Sequence, residues 1–289
     1  MATAGQWLAG ARPRTLGAAI SPVLVGVAAA STDTDIDGAY AVGALFVAFA
    51  LQVGVNYAND FSDGVRGTDA ERRGPVRLTA SGLATPDAVK RAAQVSFALA
   101  AVVGLWLSIA VNPVLILVGG VCILAAATYT GGPRPYGYAG LGEVMVLICF
   151  GFVATAGTAY LQLDRINAEA WLGSFVTGLP ACAILLTNNL RDVETDRAAG
   201  KRTLAVRFGA DRSRQLYWLC IAGSFVAVGW LGALHSWAYL AIGAMAFALG
   251  PMRLVRERSD PPSLVRALVL TALFQMVLAS LVAIGLFAS

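Results

Sequence analysis

Two stretches set carboxylates and side-chain amides close together at the ends of apolar runs: VNYANDFSDGVRGTD at residues 55–69 and TNNLRDVETDRAAGKRTL at 187–204. In the first, Asn56 and Asp60 are spaced i, i+4, and Asp60 and Asp63 i, i+3. In the second, Asn188 precedes Asp192 by four, and Asp192 precedes Asp196 by four. On helices, each set presents its oxygens along one face. Converging carboxylates repel and resist ionisation together, a conflict that a divalent cation removes. Oxygen ligands without Cys or His suit Mg2+, which binds few carboxylates, keeps waters and completes its shell with substrate phosphates. The expected ligands are Asp60, Asp63, Asp192 and Asp196, with Asn56 beside them, holding two or more Mg2+ ions. Asn59 and Asn189 flank the acids, and Arg66, Arg72, Arg73, Arg77, Lys201 and Arg202 supply cations able to grip phosphate oxygens,. Acids, metal and bases together describe a diphosphate site.

The chain that must position these residues has 289 residues, is 57% hydrophobic and only 13% charged, and has a mean hydropathy of +0.69. Soluble domains carry about 25% charged residues, so the expected class is an all-α integral membrane protein. Apolar runs of membrane-spanning length fall at about 15–31, 38–58, 92–111, 113–131, 141–161, 171–190, 213–234, 237–252 and 264–287, nine in all,. The expectation is a single domain over 1–289, a bundle around a cavity opening at the cytoplasmic side. Two four-helix units, about 11–131 and 141–252, would each carry an Asn-x-x-x-Asp pattern at the end of their second helix, and 264–287 would be an added helix.

Charge sets the orientation. Of 21 Lys and Arg, 20 lie in the N-terminal tail, 59–91, 132–140, 191–214 and 253–266; Arg165 alone lies in the alternate connections. By the positive-inside rule those five regions face the cytoplasm, with the N-terminus inside and the C-terminus outside. Both acidic clusters then share one membrane face. The start, MATAGQWLAGARPRTLGAAI, shows no clean cleavage site, so the first run is expected to be a retained helix,. Cys122, Cys149, Cys182 and Cys220 sit singly in apolar runs, and His235 is the only histidine, which argues against disulfides, a zinc site or a Ser/His/Asp triad,.

A site for diphosphate that opens toward a bilayer suits a long isoprenoid. Metal ions would stabilise the departing oxygens, the allylic C–O bond would ionise, and an electron-rich carbon would attack the carbocation. The segment 128–143, TYTGGPRPYGYAGLGE, places Tyr129, Tyr136 and Tyr138 on the same side, where aromatic faces can steady a cation,. The same tyrosines suit an interfacial aromatic belt. Glu143 suits either a base or the stabilisation of a helix N-terminus.

These residues resemble the UbiA superfamily of membrane prenyltransferases. NDFSD at 59–63 is similar to the first half of its NDxxDxxxD motif and DVETD at 192–196 to its second, DxxxD; the third acid of the first motif would fall at Gly67, with Asp69 two residues later. Further blocks are ARPRTL at 11–16, RRGPVRLTASG, YTGGPRPYGYAGLGE and NNLRDVETDRAAGKRTLAVRFG. In order and spacing they match the branch of the family that prenylates 1,4-dihydroxy-2-naphthoate, over residues 11 to about 209. The resemblance implies Mg2+, a polyprenyl diphosphate donor and that naphthoate as acceptor. Prenylation coupled to loss of CO2 would give demethylmenaquinone in a bacterial plasma membrane. An anionic acceptor needs its own cation; Arg12, Arg134 and Arg191 are candidates, with Arg134, among the tyrosines, the first choice. Other aromatic acceptors, such as 4-hydroxybenzoate or homogentisate, would share the diphosphate site. A transporter is disfavoured because the membrane-depth regions are nearly free of charge, and a CDP-alcohol phosphotransferase because its DG-x2-AR pattern is absent. Nucleic acid is not an expected partner, and the oligomeric state is not legible.

Overall fold

The structure is a computed structural model that describes residues 2–67 and 77–289, apart from the side chain of Arg14. Asp69, Arg72 and Arg73, all named above, lie outside the described residues. No strand occurs among the described residues. A short helix α1 (Ala4–Gly10) leads into α2 (Gly17–Ala30), α3 (Gly38–Arg66), α4 (Pro86–Ala110), α5 (Val114–Thr128), α6 (Gly142–Leu163), α7 (Ala168–Arg191), the single-turn α8 (Val193–Ala198), α9 (Leu204–Leu234), α10 (Ser236–Glu257) and α11 (Pro261–Phe287).

Each of the expected apolar runs is helical. Among the described residues seven helices, α3, α4, α6, α7, α9, α10 and α11, are long and apolar enough to cross a membrane. The 14-residue α2 and 15-residue α5 are shorter; at 1.5 Å per residue they cover roughly 21–23 Å of a hydrocarbon layer about 30 Å thick. By contrast α3, with 29 residues, is about 43 Å long, so its last turns project past the apolar layer and carry Asn56 to Asp63 to one pole.

Local chemistry starts and stops these elements. Asp37 caps α3 by accepting from the N–H groups of Ala39 and Tyr40, and Gly67 ends it in a left-handed conformation at φ 72°,. Thr85 and Pro86 open α4, and Asn167 caps α7,. At α11 the Asp260 carboxyl caps the helix, and its hydrogen bond from Ser263 holds its pKa below the usual value. Helix α9 begins at Leu204, capped by Thr203, nine residues before the expected 213; Gly209, at φ 80°, breaks it so that a short polar segment precedes the span. Within α6, Leu147–Ala156 widens into a π-helix.

The main core joins α2, α6, α7, α9, α10 and α11, with Tyr217, Phe274, Leu186 and Leu278 fully buried. Helices α6 and α7 approach closely at Gly151 and Gly178: a Cβ on Gly178 would lie 2.8 Å from the Gly151 Cα, as small residues allow between membrane helices. Smaller clusters hold the other side: Ala11, Tyr57, Leu78, Val89 and Ala93 near one pole, Val23, Ala44, Leu107 and Leu161 further along. Between the two sides lies a cavity. Leu117, Val102, Ile109, Leu219 and Trp230 are exposed outward, the expected disposition beside lipid.

The poles differ in kind. At one, Arg165 and Asn167 bind Asp33, Asn167 also binds the Ala29 carbonyl, and His235 meets Glu169 at 3.0 Å. These contacts gather the connections expected outside. At the other, residues 59–67, 129–140 and 196–202 meet, which brings the two acidic stretches together.

Candidate active site

The cavity has a volume of about 680 Å3, within the usual range for ligand sites. Its floor is apolar, from Ala48, Leu51 and Val55 to Val118, Phe150 and Leu185, and its mouth is polar.

At that mouth, the Lys201 Nζ lies 3.5 Å from Asp63 Oδ1 and 3.5 Å from Asp196 Oδ1. One ammonium thus joins the tip of α3 to α8. The same ammonium stands over the Tyr138 ring, 4.7 Å from its centroid, and the Tyr138 hydroxyl donates to Asp63. Arg77 approaches the other Asp63 oxygen at 3.7 Å. Asp63, Asp196, Lys201 and Arg77 are all buried and all line the cavity.

Asp60 and Asp192 are placed differently: neither lines the cavity. Asp60 accepts from the Leu78 and Thr79 N–H groups at 2.7 and 2.9 Å, fixing the chain that carries Arg77 against α3. Asp192 receives Arg191 in a two-pronged pair, Nε at 2.7 Å and a terminal nitrogen at 2.6 Å, while that terminal nitrogen also donates to Asn188 Oδ1 at 2.8 Å. Arg191 is therefore committed to the tip of α7.

The amides are wired into the same frame. Asn56 donates to the Ala11 carbonyl at 2.9 Å and to Thr15 Oγ1 at 3.2 Å. Asn59 accepts from the Thr130 hydroxyl at 2.7 Å, and Asn189 donates to the buried Glu143 carboxyl at 2.9 Å. Asn56, Asn59, Asn188 and Asn189 all line the cavity.

Tyr129 and Tyr136 stack edge to face at 5.4 Å and line the cavity with Tyr138. Burial pushes the Tyr136 phenol above its usual pKa, and its hydroxyl donates to the Ala125 carbonyl at 2.9 Å. Arg66 is exposed, with its guanidinium on the Thr130 and Gly132 carbonyls and 5.5 Å from the Tyr138 ring centroid. Arg134, the first choice for the acceptor cation, is exposed in its loop and does not line the cavity; Arg12 does. The Arg12 backbone is left-handed, φ 56°, a conformation that costs an L-residue of this size about 1–3 kcal/mol. Thr15, through both its N–H and its hydroxyl, and Asn56, through the Ala11 carbonyl, pin it there.

Among the described residues no three metal-binding side chains converge. The pair Asp63 and Asp196 nonetheless holds a cation, the Lys201 ammonium, between two carboxylates, and side-chain amides line the same cavity. That donor set fits a hard ion whose remaining ligands are water and phosphate oxygens.

Sequence reasoning missed Gln52, a buried cavity residue with its Nε2 on Thr15 Oγ1 at 3.2 Å. The signal was available: Gln52 lies four before Asn56 and extends the polar stripe of α3 one turn deeper.

The UbiA prenyltransferase family pattern matches residues 19–281. The chain is similar to the 1,4-dihydroxy-2-naphthoate octaprenyltransferase of Mycobacterium tuberculosis, 48% identical over 256 residues and 88% of each chain. With the enzyme of that description from Escherichia coli it is 38% identical, over 88% of this chain and 86% of that one. In fold it is similar to a UbiA homolog from Archaeoglobus fulgidus solved with GPP and Mg2+, TM-score 0.67 at 15% identity, covering 96% of this chain and 99% of that one. A UbiA homolog from Aeropyrum pernix gives TM-score 0.68 at 14% identity, over 92% and 97%. With a cavity of this chemistry under a match that spans nearly its whole length, the chain is a multi-pass membrane protein of the UbiA prenyltransferase family.

Proposed function

We propose that the protein transfers a polyprenyl group from polyprenyl diphosphate to 1,4-dihydroxy-2-naphthoate with loss of CO2, giving demethylmenaquinone in its reduced, hydroquinone form for menaquinone synthesis. The observation that carries this reading is the Asp63–Lys201–Asp196 bridge at the mouth of an apolar cavity. The similarity to naphthoate octaprenyltransferases, over 88% of the chain, supports the acceptor.

Asp63 and Asp196 would hold Mg2+, two or more ions, with Asn56 contributing its oxygen and Asp60 and Asp192 standing one layer behind. When bound, Mg2+ supplies charge stabilisation for the diphosphate leaving group. Lys201 and Arg77 grip phosphate oxygens, and Asn59, Asn188 and Asn189 complete the polar mouth. The prenyl chain lies along the apolar floor, which continues to an adjoining apolar pocket edged by Leu117, Val121 and Ile148. As the allylic C–O bond breaks, its electron pair leaves with the diphosphate, and Tyr129, Tyr136 and Tyr138 face the resulting cation. An electron-rich ring carbon then forms the new C–C bond. The carboxyl group departs as CO2, and its bonding pair restores the aromatic ring. Arg12, set into the cavity by its pinned turn, meets the acceptor carboxylate.

In this reading the charged pole faces the cytoplasm of a bacterial plasma membrane. The chain is one domain of two related units, about 11–131 and 141–252, with a last helix at 264–287; the recurring Asn-x-x-x-Asp at the tips of α3 and α7 supports the duplication.

The test supplies purified protein with polyprenyl diphosphate, Mg2+ and a panel of aromatic acids, with product and CO2 identified by mass spectrometry. Prenylated, decarboxylated product from the naphthoate is expected. Turnover of 4-hydroxybenzoate in its place would overturn the acceptor assignment.

A further inference from the structure

We propose that Gln52 determines acceptor specificity by accepting a hydrogen bond from the ring hydroxyl para to the 1-hydroxyl group, the one remote from the carboxylate; this rests on the naphthoate reading above. Gln52 is only 9% exposed and lines the cavity one helical turn beyond Asn56.

A closed hydrogen-bond account orients its amide. Thr15 Oγ1 has a single hydrogen, which it gives to the Arg12 carbonyl at 2.9 Å, so toward every other neighbour it can only accept. Gln52 Nε2 and Asn56 Nδ2, each at 3.2 Å, are the donors it receives. Turning the Gln52 amide over would set its oxygen against an oxygen that has no hydrogen left to offer. Nε2 therefore stays on Thr15, and Oε1 is the atom left without a hydrogen-bond partner, sealed from water. A buried acceptor in that state is destabilising unless a donor arrives. The terminal torsion of glutamine is soft, so a small rotation that keeps Nε2 on Thr15 brings Oε1 to a donor in the adjoining cavity without a backbone change.

The ligand's chemistry narrows the choice of donor. Ionised phosphates and carboxylates only accept, and a prenyl chain does neither. Only the aromatic acceptor brings O–H groups. Its 1-hydroxyl lies beside the carboxylate and bonds to it internally, whereas the 4-hydroxyl keeps its hydrogen free. Arg12 on the carboxylate and Gln52 on the 4-hydroxyl then hold the ring at both ends. A site that leaves a polar group unpaired rejects an analogue lacking the matching hydroxyl.

The test compares the full chain with Gln52→Leu and Gln52→Met in steady-state kinetics, using 1-hydroxy-2-naphthoate, which lacks the 4-hydroxyl, as a competitor of the dihydroxy acceptor. Methionine matches glutamine in length and adapts to its packing, so it reports even where the leucine variant fails to insert. The KM for 1,4-dihydroxy-2-naphthoate should rise by about five- to tenfold, while the inhibition constant of the 4-deoxy competitor and the KM for polyprenyl diphosphate hold steady. An equal loss for both naphthoates overturns the assignment, and so does a change confined to the diphosphate KM. If the wild type is active with the naphthoate and the variants match it, Gln52 alone is refuted. A wild type indifferent to the naphthoate refutes the acceptor reading and Gln52 with it.

Discussion

Asp63 and Asp196 face the cavity and share one ammonium, whereas Asp60 and Asp192 hold backbone amides and an arginine. The four acids should therefore fail in two ways. Asp63→Asn and Asp196→Asn should weaken Mg2+ binding and lower turnover by at least about a hundredfold, the scale of losing an electrostatic stabiliser of a leaving group. Asp60→Asn leaves one of two buried amides facing an NH2 donor, costing about 1–3 kcal/mol of stability; its primary signature is a lower thermal midpoint and a raised diphosphate KM through the displaced Arg77. Asp192→Asn should likewise lower the thermal midpoint, since it removes the charge and one of the oxygens that pair with the buried Arg191 side chain. Calorimetric Mg2+ titration in the presence of a nonhydrolysable diphosphate separates the two pairs. Indistinguishable metal affinities across all four variants would sink the division. EDTA should stop prenyl transfer by the wild type and excess Mg2+ restore it; turnover insensitive to the chelator would contradict a metal-assisted departure. Residue types and spacing made these four acids visible in the sequence. Their division was not visible, because the partners of Asp60 lie 18 and 19 residues away in a loop without periodicity.

Helices deliver these residues, and two of them depend on closeness. Where α6 and α7 touch at Gly151 and Gly178, a methyl on Gly178 would sit 2.8 Å from the Gly151 Cα, a backbone atom that cannot swing aside, as well as 2.8 Å from the Leu147 side chain. Gly178→Ala should accordingly cost about 1–3 kcal/mol by overpacking, read as a fall in the thermal midpoint in detergent. It should also shift Glu143, on α6, against Asn189, on α7. A variant as stable as the wild type would show that the two helices slide apart freely. Apolar runs announced both helices, since hydropathy over some twenty residues is a strong signal. The beginning of α9 escaped the same reading. Arg207, Asp211, Arg212 and Arg214 dilute its hydropathy, and the break at Gly209 interrupts its period; only the Thr203 cap marked it,. The π-helical stretch of α6 likewise left no trace in composition; its Gly151 lies against Ser174 and Gly178 of α7.

The described residues separate their charges by pole, and this separation supports the proposed orientation in a bilayer. Connections rich in Lys and Arg meet around Lys201 and Tyr138, while those anchored on Asp33, Asn167 and Glu169 gather at the opposite end. Transporting the first set across a membrane would expose many cations to hydrocarbon, which is the argument for the proposed cytoplasmic placement of this pole. The two short helices decide the count. If α2 and α5 each pass between the poles, the chain crosses nine times, and its ends lie on opposite faces. Their caps argue for passage. Helix α2 runs from the Arg12 turn at the cavity mouth to the Asp33 cluster at the far pole, and α5 runs from Asn112, hydrogen-bonded to Tyr160 and Asp164, to Tyr129 at the mouth. Each begins at one pole and ends at the other, the bilayer thinning or the flanking turns making up the missing length. A phosphatase reporter fused after Ser289 should then be active outside the cell and one fused before Met1 inactive. Cytoplasmic signals at both ends would mean that one apolar helix fails to cross, and the pole holding Asp63 and Asp196 would have to be assigned by labelling a cysteine placed at Arg134 from either side.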